Sequence, residues 1–215
     1  MSQREIVDPS KHTSEPPLLE RDRELALFEE ALDRLADGVG SLLLVEGPAG
    51  IGKTRLLAEA TELARNRKFL VRAARGGELE REMPFGVARQ LLESVIERAS
   101  EEERASLLSG SARLALLALS DNDREDATPT DALAPLHGLH WLVANLADAR
   151  PLLLAIDDLH WADAQTLRFI DYLARRLADL PAAPASRASW RRSGRFASKP
   201  ISSTPQRSPL PPSAN

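Results

Sequence analysis

Two short stretches of this chain hold residues whose types and spacing could do chemistry. The first, Gly47-Pro48-Ala49-Gly50-Ile51-Gly52-Lys53-Thr54, matches G-x-x-x-x-G-K-[ST], the Walker A pattern. A triphosphate is a concentrated anion, and holding it requires backbone N–H groups turned inward around it. Only small residues let a chain wrap that closely. Gly47, Gly50 and Gly52 permit the turn, and the amides of residues 50–54 would face phosphate at the positive end of the following helix. Lys53 is placed to reach the β and γ oxygens, and the Thr54 hydroxyl to ligate Mg²⁺. The second stretch is the apolar run Leu152-Leu153-Leu154-Ala155-Ile156 followed by Asp157-Asp158. If the run is a strand, it delivers both carboxylates to its carboxyl end, where parallel α/β sheets bind their ligands. Asp157 is the expected member of the magnesium shell, and Asp158 the group that polarises an attacking water.

Other polar residues read as structural. His137 and His140 sit three apart on an expected helix, but no carboxylate or thiolate has metal-site spacing with them, so packing is the expected role. His160 and Trp161 follow the acidic pair directly and read as loop packing.

The elements that must position these groups follow from hydrophobic periodicity. Asp22 is a plausible helix N-cap, and Leu25, Phe28, Leu32 and Leu35 recur at helical spacing up to Gly38. Residues 41–46 form a continuous apolar run, which predicts a strand covered on both faces in a parallel sheet. From Lys53 onward Leu56, Leu57, Ala60 and Leu63 mark a helix. A second strand is expected over 69–74, closed by Gly76-Gly77. Pro84 suits the first turn of a helix with the stripe Val87, Ala88, Leu91, Val95 and Ile96. Ser100 with Glu103 has capping-box spacing and should open a helix carrying Leu107, Leu108, Leu114 and Leu117. The acidic stretch 120–131 reads as an exposed loop. A helix over 133–147 precedes the Leu152 strand, and a last one from Asp163 would carry Leu167, Ile170, Leu173 and Leu177 on one face. Strands alternating with helices predict a layered α/β domain.

Composition bounds the remainder. The formal charge of −4 averages two unlike parts: residues 181–215 hold six basic residues and no acidic one, leaving 22 basic and 32 acidic residues in 1–180. Cysteine is absent, which excludes disulfides and thiolate metal sites. The first residues lack an apolar signal core, and no apolar run reaches the length of a membrane span, so a soluble, cytoplasmic protein without a membrane partner is expected. The seven Pro and eight Ser of residues 181–215 argue for a disordered tail, because so few large aliphatics cannot offset chain entropy.

Four strings resemble one family: 18–25 (LLERDREL), 45–55 (VEGPAGIGKTR, adding Arg55 to the loop), 78–86 (ELEREMPFG) and 155–163 (AIDDLHWAD). Together they are similar to the AAA-like signal-transducing ATPases with numerous domains, in the branch of large ATP-binding LuxR-type and MalT-type transcription regulators. The resemblance covers about residues 18–180, after a leader of 1–17. It implies a P-loop NTPase, a three-layer parallel sheet with flanking helices, using ATP and Mg²⁺ as a switch, often with self-association and with slow hydrolysis as a reset. It places residues 18–25 near the adenine.

The chain departs from that pattern after Leu180, where the family continues with further strands, a helical lid and a DNA-binding region. The abrupt change to Ala, Arg, Pro and Ser suggests truncation or a shifted reading frame, leaving the sheet incomplete at its carboxyl end. Unless the strand before the glycine loop and the strand before Asp157 then pair directly, the domain should be of marginal stability and a poor ATPase. Two other readings compete: a free-standing P-loop ATPase or kinase, for which no acceptor site or arginine finger is identifiable, and a non-enzymatic nucleic-acid binder using the basic tail. Six charges with only Trp190 and Phe196 as aromatics make direct DNA binding the poorer expectation.

Overall fold

The structure is a computed structural model, and it describes residues 21–120, 133–177 and 199–202. Helices and short parallel strands alternate, as the periodicity predicts. The order is α1 (Asp22–Ala36), β1 (Leu43–Glu46), α2 (Lys53–Asn66), β2 (Leu70–Arg75), α3 (Glu78–Glu82), α4 (Gly86–Arg98), α5 (Glu101–Leu107), a 3-10 helix Gly110–Ala115, α6 (Leu116–Leu119), α7 (Ala134–Ala149), β3 (Leu152–Asp157), a 3-10 turn Leu159–Trp161, α8 (Ala164–Ala174) and β4 (Lys199–Ser202). The acidic stretch expected to be a loop lies almost wholly outside the described residues.

The strands form two separate parallel pairs. β2 lies beside β3 in the register Leu70 to Leu152 through Arg75 to Asp157, so the last residues of both strands end at one level. β1 pairs with β4, Leu43 opposite Lys199 and Glu46 opposite Ser202. β1 and β3, the strands that lead into the glycine loop and into Asp157-Asp158, therefore do not pair with each other among the described residues. Of the segment 181–215, for which composition predicts no regular structure, Lys199–Ser202 is described and is a strand; the rest lies outside the described residues.

The main core lies between α4, α7, α8 and the β2–β3 pair. Leu91, Leu92, Leu139, Leu142 and Phe169 are buried there, with Leu70, Ala74, Leu152 and Leu154 of the strands packed against them. All five residues of the stripe assigned to α4 are buried. A smaller cluster of Phe28, Leu56 and Ala60 joins α1 and α2 to Leu43 and Val45 of β1.

Four further expectations need correction. Asp22 does not cap α1: Arg21 occupies that position, and no side chain caps the helix. β1 is not covered on both faces, since Leu44 is 41% exposed. The α8 face assigned from periodicity is also not the main core face, since of its residues only Leu173 packs against that core. Thr166 and Phe169 are the buried residues of α8, whereas Leu167, Ile170, Leu173 and Leu177 line a cavity shared with β1 and β3. The second and third corrections have one cause. Both apolar rows look into the space between the strand pairs, where no described strand bridges β1 to β3. The helix expected from Ser100 is shorter too: the capping box forms, with Ser100 Oγ accepting from Glu103 N–H and Glu103 accepting from Ser100 N–H, but α5 ends at Leu107. Gly110, at φ +58°, then turns the chain into the 3-10 helix.

Candidate functional site

The glycine loop joins the end of β1 to the start of α2. Gly50 and Gly52 sit at φ +76° and +90°, a left-handed conformation that an L side chain adopts only with strain. Neither glycine would meet a neighbour if given a Cβ, so backbone conformation, not crowding, is what requires them. Gly52 is the N-cap of α2, and its carbonyl accepts from Leu56 N–H at 3.0 Å. The fourteen residues of α2 thus begin at the loop, where unpaired N–H groups and the helix dipole favour an anion.

Lys53 bends back over this loop. Its Nζ donates to the carbonyls of Gly47 and Pro48, each at 2.9 Å. Both are exposed hydrogen bonds, so the ammonium is held at the loop yet exchangeable toward an incoming anion. Thr54 is exposed in the first turn of α2. From the other side Arg21 Nη2 donates to the Ile51 carbonyl at 2.6 Å, while its Nη1 bonds Glu24 at 2.8 Å. Arg21 is buried, which gives that tie to the loop more weight than a surface contact would have.

β3 ends in the two carboxylates. Asp157 is its last residue, and its side chain, 15% exposed, accepts from Asp158 N–H at 3.0 Å. Asp158 adopts a left-handed conformation, φ +51° and ψ +43°, that turns the chain into the 3-10 turn. Its Oδ2 accepts two hydrogen bonds from Arg75, from Nε at 3.0 Å and Nη2 at 2.8 Å. Arg75 Nε also lies 3.9 Å from Asp157 Oδ2. The Asp158 hydrogen bond, then the charges of Asp158 and Asp157, raise the Arg75 guanidinium above its ordinary value. Gly76 is where the backbones meet. Its N–H donates to the Asp157 carbonyl at 2.9 Å, and a Cβ there would lie 2.4 Å from the Asp158 carbonyl oxygen.

Loop and carboxylates open into one cavity of about 1430 Å³. Gly47, Ala49, Gly50, Gly52, Lys53, Thr54 and Arg55 line it, as do Asp157 and Asp158. Pro48 and Ile51 contribute their carbonyls instead, to Lys53 and Arg21. The cavity is therefore lined by both a helix start, where unpaired N–H groups favour an anion, and two carboxylates, a set that would suit a phosphate chain with a hard divalent cation.

Sequence reasoning missed three participants. Arg75 is the last residue of β2, one beyond the strand expected over 69–74, and carries no motif signal. Arg21 belongs to the 18–25 string, yet its contact with the loop spans thirty positions. Asp163 is buried, and its Oδ1 accepts from the N–H groups of Phe85, Gln165 and Thr166, fixing α8 to the start of α4 beside the acidic pair. His137 accepts from Trp141 Nε1 at 3.1 Å through Nε2 and meets the Tyr172 hydroxyl at 3.2 Å through Nδ1, while His140 is buried edge-on to Trp141 and Tyr172. Both histidines lie in an aromatic cluster. Among the described residues no helix is long and apolar enough to cross a membrane.

Known proteins bear on this geometry. The sequence model of the AAA ATPase domain family matches residues 17–184. An uncharacterized protein of Rhizobium meliloti (strain 1021) is 26% identical over 77% of this chain, and the chain spans 18% of that relative's length. No solved structure matches.

Proposed function

This chain belongs to the AAA ATPase domain family, whose membership implies nucleotide binding, and from that premise we propose that it is a Mg-ATP-binding switch module with slow hydrolysis. The observation that carries the proposal is the single cavity shared by the Gly47–Thr54 loop and the Asp157-Asp158 pair. The amides of the loop and the α2 amino terminus would hold the phosphates, and Lys53 would exchange its two carbonyl partners for phosphate oxygens. Thr54 and Asp157 would hold Mg²⁺, which when bound offsets phosphate charge. Asp158 is the group to orient a water. Its carboxylate is engaged twice by Arg75, and that engagement supports slow rather than brisk turnover.

The three-layer P-loop architecture and residues 18–180 as its extent belong to the same proposal. So does the regulator context. The strings at 78–86 and 155–163 favour the LuxR-type and MalT-type signal-responsive branch, and the match to a small share of a much longer relative suits a module that works within a larger regulator. ATP binding titrated with and without Mg²⁺, beside Asp157→Asn, tests the site. Affinity should rise with Mg²⁺ in the wild type and lose most of that gain in the variant. Equal Mg²⁺ dependence in both would remove Asp157 from the metal site.

A further inference from the structure

The opposite end of the β2–β3 pair carries a feature that nucleotide binding leaves unexplained. Side chains alternate along a strand, so Leu70, Arg72 and Ala74 share one face of β2. Leu70 and Ala74 pack against the main core, and α4 lies over this strand. An arginine in that row takes its stem into apolar surroundings. The Arg72 Nε is buried and meets no hydrogen-bond partner among the described residues, although a buried guanidinium N–H is costly to leave unpaired.

Two further arginines end the helices that reach the same end of the strands. Arg98 is the last residue of α4, and Arg150 directly follows α7. The Leu70 N–H donates to the Pro151 carbonyl at 2.8 Å, which fixes the base of β3, and Arg150 beside it, against the base of β2. Burial first, then the charges of Arg150 and Arg98, hold the Arg72 guanidinium below its ordinary value. Burial and nearby positive charge both disfavour the charged form of a guanidinium. None of the three makes an ion pair with a described carboxylate. The carboxyl ends of α4 and α7 favour a cation, which accounts for Arg98 and Arg150 singly. It does not account for Arg72, which lies on a strand.

We propose that Arg72, Arg98 and Arg150 form an anion site at the amino-terminal end of the β2–β3 pair, for a multiply charged phosphate group. Three guanidinium forks match phosphate oxygens with paired N–H donors, and an anion there satisfies the buried Nε and relieves the mutual repulsion. The site is separate from the glycine loop, since Arg75 and the two carboxylates stand at the far end of the same strands.

Calorimetric titration of inorganic pyrophosphate tests this on the full chain carrying Lys53→Ala, which weakens the competing loop. The same chain is then titrated with Arg98→Gln and Arg150→Gln added; both positions are exposed, so folding is retained and a thermal melt checks it. One saturable, salt-sensitive site is expected, weakened at least about tenfold by the added pair. Absence of saturable binding, or equal affinity in the two chains, would overturn the proposal. The second result would assign the residual binding to the glycine loop.

Discussion

Replacing Asp163 by alanine should be among the most damaging single changes in the described fold. Its carboxylate is 5% exposed. Oδ1 accepts from Phe85 N–H at 2.8 Å and from Gln165 and Thr166 N–H at 2.9 Å each, and Oδ2 accepts from the Thr166 hydroxyl. The Thr166 oxygen in turn accepts from Ala88 N–H at 3.3 Å, so one side chain organises the starts of both α8 and α4. Losing an N-cap costs about 0.5–2 kcal/mol. Leaving the buried Phe85 N–H without its acceptor costs roughly 1–3 kcal/mol more, and the freed Thr166 hydroxyl adds about 1 kcal/mol. The combined loss is about 2.5–6 kcal/mol, a large share of the roughly 5–15 kcal/mol that typically holds a domain together. Asp163→Asn keeps an acceptor oxygen, and the Thr166 hydroxyl can rotate to accept from the new amide, so about 1–2 kcal/mol is expected there. Urea unfolding followed by circular dichroism measures both. A loss below about 1 kcal/mol for Asp163→Ala would refute the reasoning, because the network would then not be what joins the helices.

Three further outcomes are expected. Arg75→Ala should release Asp158 and raise the ATP turnover rate by up to about fivefold, the scale of a solvent-exposed ion pair, with ATP affinity unchanged; a fall in rate would show that Arg75 instead holds Asp158 in its working position. Arg21→Ala removes the tie to the Ile51 carbonyl and should weaken ATP binding about two- to tenfold in a fluorescence titration, whereas unchanged affinity would make the contact merely structural. Gly138→Ala would bring a Cβ to 2.1 Å from Ala115 N and 2.3 Å from Leu114 C. Those are backbone atoms that cannot rotate away, so thermal unfolding should show a net loss of about 1–3 kcal/mol even though alanine is the better helix former.

What could be read from the sequence was local. The glycine loop, the apolar run before Asp157, the Ser100 capping box and the α4 stripe all depend on spacings within about one or two turns, and each is recovered. Arg75 was not legible because its partner Asp158 lies 83 positions away, and only the β2–β3 register brings them together. The orientation of α8 failed for a related reason. Two candidate apolar faces exist, Leu167 with Ile170 or Phe169 with its neighbours, and local periodicity cannot decide which one meets α7 and which meets the cavity between the strand pairs. The exposure of Leu44 follows from the same arrangement of strands, a property of the sheet and not of β1.

In the proposed phosphate cradle, Lys53 leaves the carbonyls of Gly47 and Pro48 for the nucleotide. ATP affinity of the full chain with Mg²⁺, measured by calorimetry for wild type and Lys53→Ala side by side, tests this most directly. A dissociation constant at least about tenfold higher in the variant is predicted, the scale of one charge-assisted contact to phosphate. Equal affinity in the two proteins would contradict it.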